Sequence, residues 1–524
     1  MKKNTFWNIV FTLIFLFMLA GEALTIATVI RLDMLPMVYM IAVIGLFAIF
    51  SLIIGLMLFR KGKKPGKGKK ITACVLAVLL VCGCAVITTV ATDVMKTLEA
   101  TSRVDDSVPT REIYVLADNT VENLADTVGY TYGYLKGYDE NCTQQVLDEV
   151  YLYTDGLVST AGYTNMFTMV SALLDNRIDA MILNGGSIGI LDEAEEFMDF
   201  STRTRILAQV EVDEEEDLML DFSDPIFEEE ISEEIEETTV PEEIQIADGE
   251  VDYTSLEPFV VYVSGSDSYN NKIVKNGRSD VNILAVVNPM SKQILLINTP
   301  RDYYVKNTAG GGARDKLTHC GIYGTSCSMK TLGNLYDAKI EYFVRINFTG
   351  FKKLIDAMGG ITVNSDYAFT AIQRTPIKKG INELTGQQAL DFARERYTLK
   401  GGDNERGKHQ MQVITAVIQK ATSGTTIIKN YSDIMASVEG MFQMNIPTEM
   451  ISNLMKMQLS DMAQWNVSSF AVTGTGGSEE CYSAPGMKLS VIKPSQSSVN
   501  KASRLIDMVY AGEILTVEVI NSVN

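Results

Sequence analysis

The sequence predicts an α/β protein with three N-terminal transmembrane helices, a small α/β accessory lobe, and a larger domain in which a sheet is covered by helices. Three observations favour this fold class. Three long apolar segments lie within residues 1–94, strand-like and helix-like stretches alternate through 111–200 and again from 255 onwards, and an acidic run separates these two regions. A chain of 524 residues is also too long for one ordinary core, so two or more domains are expected.

The apolar segments lie at about residues 6–30, 35–59 and 71–93. Each is long enough to cross a bilayer, which takes about 20 apolar residues. The loop 60–70 carries seven Lys or Arg residues, and positively charged loops stay on the cytoplasmic side. Residues 1–94 are therefore predicted to be a multi-pass region of the cell membrane with a cytoplasmic N-terminus, and the rest of the chain is predicted to be extracellular. The alternative for the first segment is a cleaved signal peptide, but its apolar stretch is long for one.

The acidic run accounts for almost all of the net charge of −20, because residues 211–250 hold 19 Asp or Glu residues and no Lys or Arg. Such a run repels itself and cannot bury a core, so it is predicted to be a disordered, solvated linker. The acidity and the extracellular location argue against nucleic acid as a partner. The cysteine spacings do not suggest zinc, and whether Cys320 and Cys327 form a disulfide stays open.

Residues 111–200 are predicted to form the accessory lobe, with strands at 113–116 and 179–183 and helices near 121–128 and 166–174. The end of this region resembles a stretch that is common in the lobes of solute-binding proteins. Two interpretations follow, a module that binds a solute and a plain accessory module or spacer, and the second is favoured.

The main domain is predicted to span residues 255–424, with a C-terminal α/β extension and tail at 425–524. Its apolar patterns predict, in order, a strand at 259–263, paired strands at 281–287 and 293–298, a helix near 328–337, a strand at 341–346 and a helix that stops at Gly359 and Gly360. Strands that alternate with helices imply a sheet covered by helices.

Charged residues flank the paired strands of the main domain. Arg278 and Asp280 precede the first strand, and Arg301 and Asp302 follow the second. A third cluster further along contains Arg394, Arg396, Asp403, Arg406, His409 and Gln410. Guanidinium groups bind phosphate oxygens and carboxylates bind divalent metals, so this set has the composition of a pyrophosphate site. The alternative is a set of surface ion pairs at strand ends, and spacing alone does not decide between them.

These motifs resemble those of the LytR-CpsA-Psr (LCP) family, membrane-anchored extracytoplasmic enzymes of the Gram-positive cell wall. The matching stretches are Gly265 to Asp267, Arg278 to Asp280, Asn298 to Asp302, Lys316 to His319, Asn347 to Phe351, Ile355 to Val363 and Leu384 to Leu390, followed by Arg394, Arg396, Asp403, Arg406 and Gln410. The set is specific because all of these stretches occur in the same order as in the family. A single triplet by itself would not be specific.

The resemblance implies an α-β-α layered LCP-type domain with a mixed central sheet. It implies a Mg-dependent phosphotransferase that moves a glycopolymer, teichoic-acid-like or capsular, from undecaprenyl pyrophosphate to peptidoglycan and leaves a phosphodiester link. The implied partners are the polyprenyl-pyrophosphate-linked glycopolymer, peptidoglycan and the membrane. Two alternatives remain, a hydrolase that acts on the same pyrophosphate and a surface receptor for a solute or a lipid pyrophosphate.

The same resemblance implies the roles of individual residues. Asp267 and Asp280 would hold Mg²⁺ or Mn²⁺ against the pyrophosphate. The implied pyrophosphate-binding residues are Arg278, Arg301, Arg394, Arg396, Arg406 and Gln410. The implied catalytic residues are Arg301, Asp302, Arg394, Arg396 and Asp403. These roles agree with phosphoryl transfer, in which positioning and fixed positive charge are the main catalytic contributions.

Three positions depart from the family pattern. Thr318 stands where Asn is common, Cys320 where Ala is common, and His409 where Arg is common. His409 lacks the permanent charge of arginine, so a phosphate contact is not expected from this position. His319 and His409 fall inside matching motifs, and both are expected to be structural.

A helix is predicted to begin at about Glu405. Its spacing would place Arg406, His409, Gln410 and Val413 on one face, with Met411, Ile414, Val417 and Ile418 facing the core. The alternative for Asp403 is a helix N-cap without a catalytic role.

Overall fold

The structure is a computed structural model that describes residues 2–59, 67–102, 110–191, 195–212, 256–266, 277–396, 398, 403–423, 434, 436–438 and 440–523. The predicted acidic linker lies outside the described residues except for positions 211 and 212. The central part of the basic loop, 60–66, and the predicted metal ligand Asp267 also lie outside them.

The N-terminal region consists of three long helices, α1 (Lys2–Leu32), α2 (Met37–Phe59) and α3 (Lys67–Ser102). Each contains a stretch that is long and apolar enough to cross a membrane. The three predicted segments are therefore confirmed as helices, and α3 continues past the predicted boundary at residue 94.

Polar side chains join these helices in their interior. Ser51 of α2 donates a hydrogen bond of 2.7 Å to the carboxyl group of Glu22 in α1, and Thr25 of α1 lies 3.0 Å from the Thr88 hydroxyl of α3. Polar groups in an apolar helix turn toward the bundle because partners there replace the water that lipid cannot supply. These contacts explain how the three helices associate.

The accessory lobe is a five-stranded sheet of order β3-β2-β4-β1-β5 with a helix on each face. Its elements are β1 (Thr110–Leu116), β2 (Thr131–Leu135), α4 (Glu140–Tyr153), β3 (Ser159–Tyr163), α5 (Met166–Leu174), β4 (Ala180–Leu183), α6 (Ile188–Leu191), α7 (Phe200–Arg203) and β5 (Thr204–Glu211). Ile113 and Val115 pack with α4, whereas Tyr114 packs with α5, as the alternation of side chains along a strand requires.

The lobe contains more elements than the sequence analysis predicted. Its sheet extends past residue 200, because β5 pairs with β1 from Thr204 to Glu211. The helix expected near 121–128 is only a short 3-10 turn, Leu124–Thr127. Strands β2 and β3 were not predicted. Helix α4 was not predicted either, since polar residues surround the few apolar side chains that it buries.

The main domain contains β6 (Phe259–Ser266), β7 (Val281–Asn288), β8 (Gln293–Asn298), β9 (Tyr304–Lys306), β10 (Arg314–Lys316), α8 (Leu317–Cys320), α9 (Thr325–Tyr336), β11 (Tyr342–Asn347), α10 (Phe348–Ala357), β12 (Ile361–Ser365), β13 (Phe369–Ala371), β14 (Thr375–Ile377), β15 (Gly380–Leu384), α11 (Gly386–Arg394), α12 (Asp403–Thr422), β16 (Phe442–Met444), α13 (Thr448–Asp461), β17 (Asn466–Ala471), β18 (Gly474–Cys481), β19 (Ala484–Pro494), α14 (Gln496–Tyr510) and α15 (Val517–Ser522). Its central sheet has the order β16-β11-β6-β7-β8-β17. Strand β6 is parallel to β11 and antiparallel to β7, so the sheet is mixed, as predicted.

Helices cover both faces of this sheet. Tyr262 and Leu295 point to the face that packs on α9 and α14, and Val261 and Leu296 point to the face covered by α12 and α13. Strands that are buried on both faces have nearly continuous apolar sequences, which is why β6, β7 and β8 were predictable. The α-β-α layering is confirmed, and β16, β17 and α14 make the region after residue 424 an integral part of the domain.

The accessory lobe and the main domain share a hydrophobic core. Met166 and Phe167 of α5 lie in one cluster with Cys481, Leu489 and Val491 of the β18–β19 hairpin. The lobe is therefore packed on the main domain instead of being tethered to it as a loose spacer.

The membrane helices also contact the main domain. Lys456 in α13 forms an ion pair of 2.6 Å with Asp33, which lies in the short connection between α1 and α2. In the C-terminal part of α3, Val94 packs with Met34 and with Met444 of β16. The α1–α2 connection and the C-terminal part of α3 thus meet the main domain on the same side.

All seven cysteines are free in the structure. Cys320 and Cys327 are both fully buried, and the hydrogen bond with the Cys327 thiol, together with burial, raises the pKa of Cys320. Both are therefore thiols in this structure.

Candidate active site

The β7–β8 hairpin brings the first two charged motifs together. Asp280 immediately precedes β7 and Arg301 follows β8, and the antiparallel pairing of Ile283 with Asn298 puts these two ends at one edge of the sheet. Nη1 of Arg301 lies 2.7 Å from Oδ1 of Asp280. Both side chains are about one-sixth exposed, at 17% and 15%, so the pair is partly shielded but still open to a ligand.

Two helices supply the rest of the positive charge. Arg394 is the last residue of α11, and its guanidinium lies 4.5 Å from the ring centre of Phe348, which orients the side chain by a cation–π contact. Arg396 follows two residues later. Arg406 and Gln410 are one turn apart in α12 and therefore lie on one face of that helix.

These side chains line a cavity of about 210 Å³. Its lining consists of Asp280, Val281, Arg301, Phe348, Ile372, Arg394, Arg396, Arg406 and Gln410. The lining thus contains four guanidinium groups and one carboxylate, an excess of positive charge that suits an anion with several oxygens. The structure brings together six of the residues that the sequence analysis selected.

Helix α12 approaches the sheet closely because of a glycine. A Cβ atom at Gly407 would lie only 2.2 Å from Nδ2 of the Asn298 side chain, and Asn298 is the last residue of β8. The missing side chain therefore lets α12 lie against the strand end that leads to Arg301, with Arg406 and Gln410 directed to the cavity.

The predicted face of α12 meets both the cavity and a second core. His409 does not line the cavity, and its ring instead stacks on Phe369 and Phe392, with centroid distances of 5.3 and 4.3 Å. Val413 lies in the same second core, which forms beneath β13 and α11. Burial lowers the pKa of His409, so its ring is neutral at pH 7, in agreement with a structural role.

Two selected residues lie beside the cavity instead of in its lining. The side chain of Arg278 packs against the backbone of Gly189 in the accessory lobe. Asp302 lies behind Arg301, with its carboxylate 3.8 Å from Nε of Arg301 and 3.4 Å from Nζ of Lys316. The geometry therefore gives Asp302 a supporting contact with Arg301, and the predicted catalytic role of Asp302 stays a prediction.

The other two acidic residues are not described in detail. Asp267 lies outside the described residues, and Asp403 begins α12 but its side chain is not described. Their predicted roles in metal binding and catalysis stay predictions.

Arg345 was not selected from the sequence, yet it supports the site. It lies in β11, is only 3% exposed, and its Nη2 lies 3.5 Å from the carbonyl oxygen of Gly277, next to Arg278. Burial lowers the pKa of its guanidinium below the usual value. The sequence did contain a signal for Arg345, because it is the single charged residue within the strand Tyr342–Asn347. An arginine is rarely buried unless it has specific partners, so its place in a buried strand indicates a role.

The cavity lining offers a divalent metal one carboxylate, that of Asp280. Among the residues that the structure describes, no three His, Cys, Asp or Glu side chains are grouped to hold an ion. Asp280 is the carboxylate of the cavity lining, and the Arg301 contact engages its Oδ1. Mg²⁺ often takes only one or two carboxylates and fills its shell with water and phosphate oxygens. Asp280 therefore fits an ion that is bound together with a phosphorylated ligand.

The fold and the cavity define an α/β domain with an arginine-lined anion site, attached to three helices of membrane-spanning length. The chain belongs to the LytR_cpsA_psr family, whose family model matches residues 226–501.

Two relatives and one solved structure illustrate the similarity. The polyisoprenyl-teichoic acid–peptidoglycan teichoic acid transferase TagU of Enterococcus faecalis is 37% identical over 190 residues, which are 36% of this chain and 62% of the relative. The protein of the same name from Bacillus cereus is 34% identical over 214 residues, 41% of this chain and 66% of the relative. The crystal structure of B. subtilis TagU has 27% identity and a TM-score of 0.38, and the match covers 50% of this chain and 99% of that one. The chain thus spans less than two thirds of the length of these two relatives.

Proposed function

We propose that this protein transfers a glycopolymer from a polyprenyl pyrophosphate carrier to peptidoglycan and leaves a phosphodiester link. The observation that carries the proposal is the convergence of four arginines and Asp280 on one cavity. Membership of the family and the names of the two TagU relatives support the same reaction. A teichoic-acid-like polymer is the substrate class that these names favour.

The cavity suits the chemistry of this transfer. The oxygen of an acceptor sugar hydroxyl forms the new bond to the phosphorus that carries the polymer, and the hydroxyl proton passes to water. The bond to the lipid phosphate breaks, and its electron pair leaves with the lipid phosphate oxygen. Negative charge grows on the non-bridging oxygens and on the leaving lipid phosphate. Arg301, Arg394, Arg396 and Arg406 supply fixed positive charge for these oxygens, and Gln410 supplies an amide donor. Planar guanidinium groups suit this task because they bind phosphate bidentately.

We propose further that Mg²⁺ assists the reaction, with Asp280 as one ligand and Asp267 as the second. When bound, the ion would neutralise charge on the pyrophosphate. The ion pair between Arg301 and Asp280 supports this arrangement because it fixes the carboxylate at the edge of the cavity. Arg301 itself would contact phosphate with the guanidinium N–H groups that do not face Asp280.

The proposed topology places the N-terminus in the cytoplasm and the main domain outside the cell. The contact between Asp33 and Lys456 supports it, because the α1–α2 connection must then lie on the same side as the main domain. In intact cells, a membrane-impermeant maleimide should label Thr475→Cys, on the exposed strand β18, and should not label Gly62→Cys in the basic loop. Labelling of Gly62→Cys without permeabilisation would contradict the topology.

The transfer itself is tested with the full chain in detergent, a labelled lipid-pyrophosphate-linked polymer, and isolated peptidoglycan. We expect label to appear on peptidoglycan, and we expect chelation of divalent ions to stop this and added Mg²⁺ to restore it. Release of free phosphorylated polymer at the same rate with and without peptidoglycan would instead identify a pyrophosphate hydrolase. Tight binding of the carrier without turnover would identify a receptor.

A further inference from the structure

The accessory lobe touches the charged motif that precedes β7. Helix α6 of the lobe passes so close to Arg278 that a Cβ atom at Gly189 would lie 2.8 Å from Nε and 3.1 Å from Cζ of that guanidinium. The contact is therefore made by the flat backbone of a glycine against the end of an arginine side chain. Two regions that are far apart in the sequence meet at this point.

The backbone that carries Arg278 is held firmly by the main domain. Ser279 N donates to Thr318 O at 3.1 Å, and Asp280 N donates to Gly265 O at 2.9 Å. Next to it, a Cβ atom at Gly321 would lie 2.5 Å from Gly277 O, so this segment is closely packed as well. Since the backbone is fixed, the direction of the Arg278 side chain is set by its own contacts, and the contact with Gly189 is the one that the accessory lobe supplies.

The lobe is fixed at the same place. The hydroxyl groups of Tyr138 in the lobe and Tyr323 in the main domain lie 2.5 Å apart, and Tyr323 belongs to the short 3-10 helix Gly321–Tyr323 that packs beside the Arg278 segment. The shared hydrophobic core beneath the β18–β19 hairpin joins the two regions over a larger area. The surface of the lobe beneath Arg278 is therefore joined to the main domain by a hydrogen bond and by a shared core.

We propose that the accessory lobe is a positioning element of the pyrophosphate site, and that the backbone of α6 at Gly189 holds the Arg278 guanidinium for a phosphate group at the mouth of the cavity. Arg278 is separated from the cavity residue Asp280 by one residue, about 7 Å along an extended chain. A long side chain loses less rotamer freedom on binding when a surface already restrains it. The inference deepens the proposed function and rests on it, because it assigns the lobe a part in binding the same pyrophosphate.

The test is Gly189→Ala. Gly189 lies in a helix where alanine suits the backbone, and the atoms that a new Cβ would meet are the flexible end of Arg278. We therefore expect the lobe to fold normally and Arg278 to be pushed away. The KM for the lipid-linked substrate and the Kd for geranyl pyrophosphate, measured by calorimetry with the full chain, should rise roughly tenfold, the loss expected for one hydrogen bond to a charged group. The kcat should change little.

Gly162→Ala is the matched control. It lies in the same lobe, and its Cβ would also meet a flexible cationic side chain, that of the exposed Lys136, at 2.1 Å. This variant should bind geranyl pyrophosphate as the unaltered protein does. A loss of affinity in both variants would point to general disturbance of the lobe and would overturn the inference.

A double-mutant cycle with Arg278→Ala gives the sharper result. If Gly189 acts through Arg278, then Gly189→Ala should have no further effect on Kd once Arg278 has become alanine. Should the single variant Gly189→Ala fold poorly, the double variant should regain the melting temperature of Arg278→Ala, because the clash is gone. Additive effects, or an unchanged or tighter Kd in Gly189→Ala, would refute the inference. Full transfer activity of both Arg278→Ala and Arg301→Ala would instead refute the proposed function.

Discussion

Arg301→Ala should lower the rate of polymer transfer to peptidoglycan by at least about 100-fold, the usual loss when one preorganised donor to a developing negative charge is removed. Arg301 lines the cavity and makes an ion pair of 2.7 Å with Asp280, so the substitution removes a cation and also leaves the carboxylate without this partner. The measurement is the initial rate of label transfer with the full chain. Arg301→Lys keeps the charge and loses the planar guanidinium, so its activity should lie between that of Arg301→Ala and that of the unaltered protein.

Asp280→Ala is the companion variant. It should also abolish transfer, because it removes the described carboxylate of the cavity lining and with it the proposed metal ligand. Arg177→Ala is a matched control, since Arg177 is 58% exposed and pairs with the surface residue Asp175 in the lobe. Its activity should equal that of the unaltered protein. If wall attachment persisted in both Arg301→Ala and Asp280→Ala, the assignment of the site would be wrong.

The second large effect is expected on stability, at Asp315. This carboxylate is fully buried, its Oδ1 lies 2.6 Å from Nδ1 of His319, and its Oδ2 accepts hydrogen bonds from the backbone and the hydroxyl of Ser483. Ser483 lies in the turn of the β18–β19 hairpin that packs against the lobe. Asp315 thus connects His319 of α8 to Ser483, at the junction between the lobe and the main domain.

Asp315→Ala leaves these donors buried without an acceptor, which should cost about 3 kcal/mol. For a domain of this size the melting temperature should fall by roughly 6–12 °C. Asp175→Ala is the control, because this aspartate is 62% exposed and its loss should leave the melting temperature nearly unchanged. A melting temperature of Asp315→Ala within about 1 °C of the unaltered protein would show that the network contributes little.

The pH dependence of this effect has a definite sign. Burial by itself raises the pKa of Asp315, but the charge and hydrogen bond of His319, together with Ser483 and the Lys316 N–H, outweigh it and lower the pKa below the ordinary value of 3.8. A lowered pKa in the folded state contributes stability above the unfolded value, and this contribution is lost as the pH falls through the folded value. The difference in melting temperature between the unaltered protein and Asp315→Asn should therefore shrink as the pH falls below 3.8.

Much of the fold could be predicted because its signals are local. The membrane helices and the strands β6, β7 and β8 have long apolar sequences, and Gly359 ends its helix in the left-handed region at a φ of +74°, as glycine allows. Strand β5 could not be predicted so readily, because it is stabilised by pairing with β1 about 90 residues earlier in the chain. Weakly amphipathic elements such as α4 depend on the lobe around them in the same way.

The site was predicted to different degrees for different residues. Asp280 and Arg301 could be paired because a hairpin joins the ends of neighbouring strands, and Arg406 and Gln410 because residues four apart share a helix face. His409 and Val413 share this face by the same spacing, yet they turn toward a second core formed by Phe369 and Phe392. Periodicity shows that side chains share a helix face, but it does not show which of two neighbouring cores the face will meet.

The sequence by itself determined which residues could carry charge to a phosphate, which segments could enter a membrane, and which strands would be buried on both faces. These properties follow from side-chain chemistry and from periods of a few residues, so they can be read without coordinates. Only the tertiary structure decided that Arg394 and Arg406 would meet Arg301 in one cavity, that Arg278 would rest on Gly189, and that the lobe would share a core with the main domain. Such contacts join distant parts of the chain, and their free energy depends on close packing of surfaces that no single segment contains.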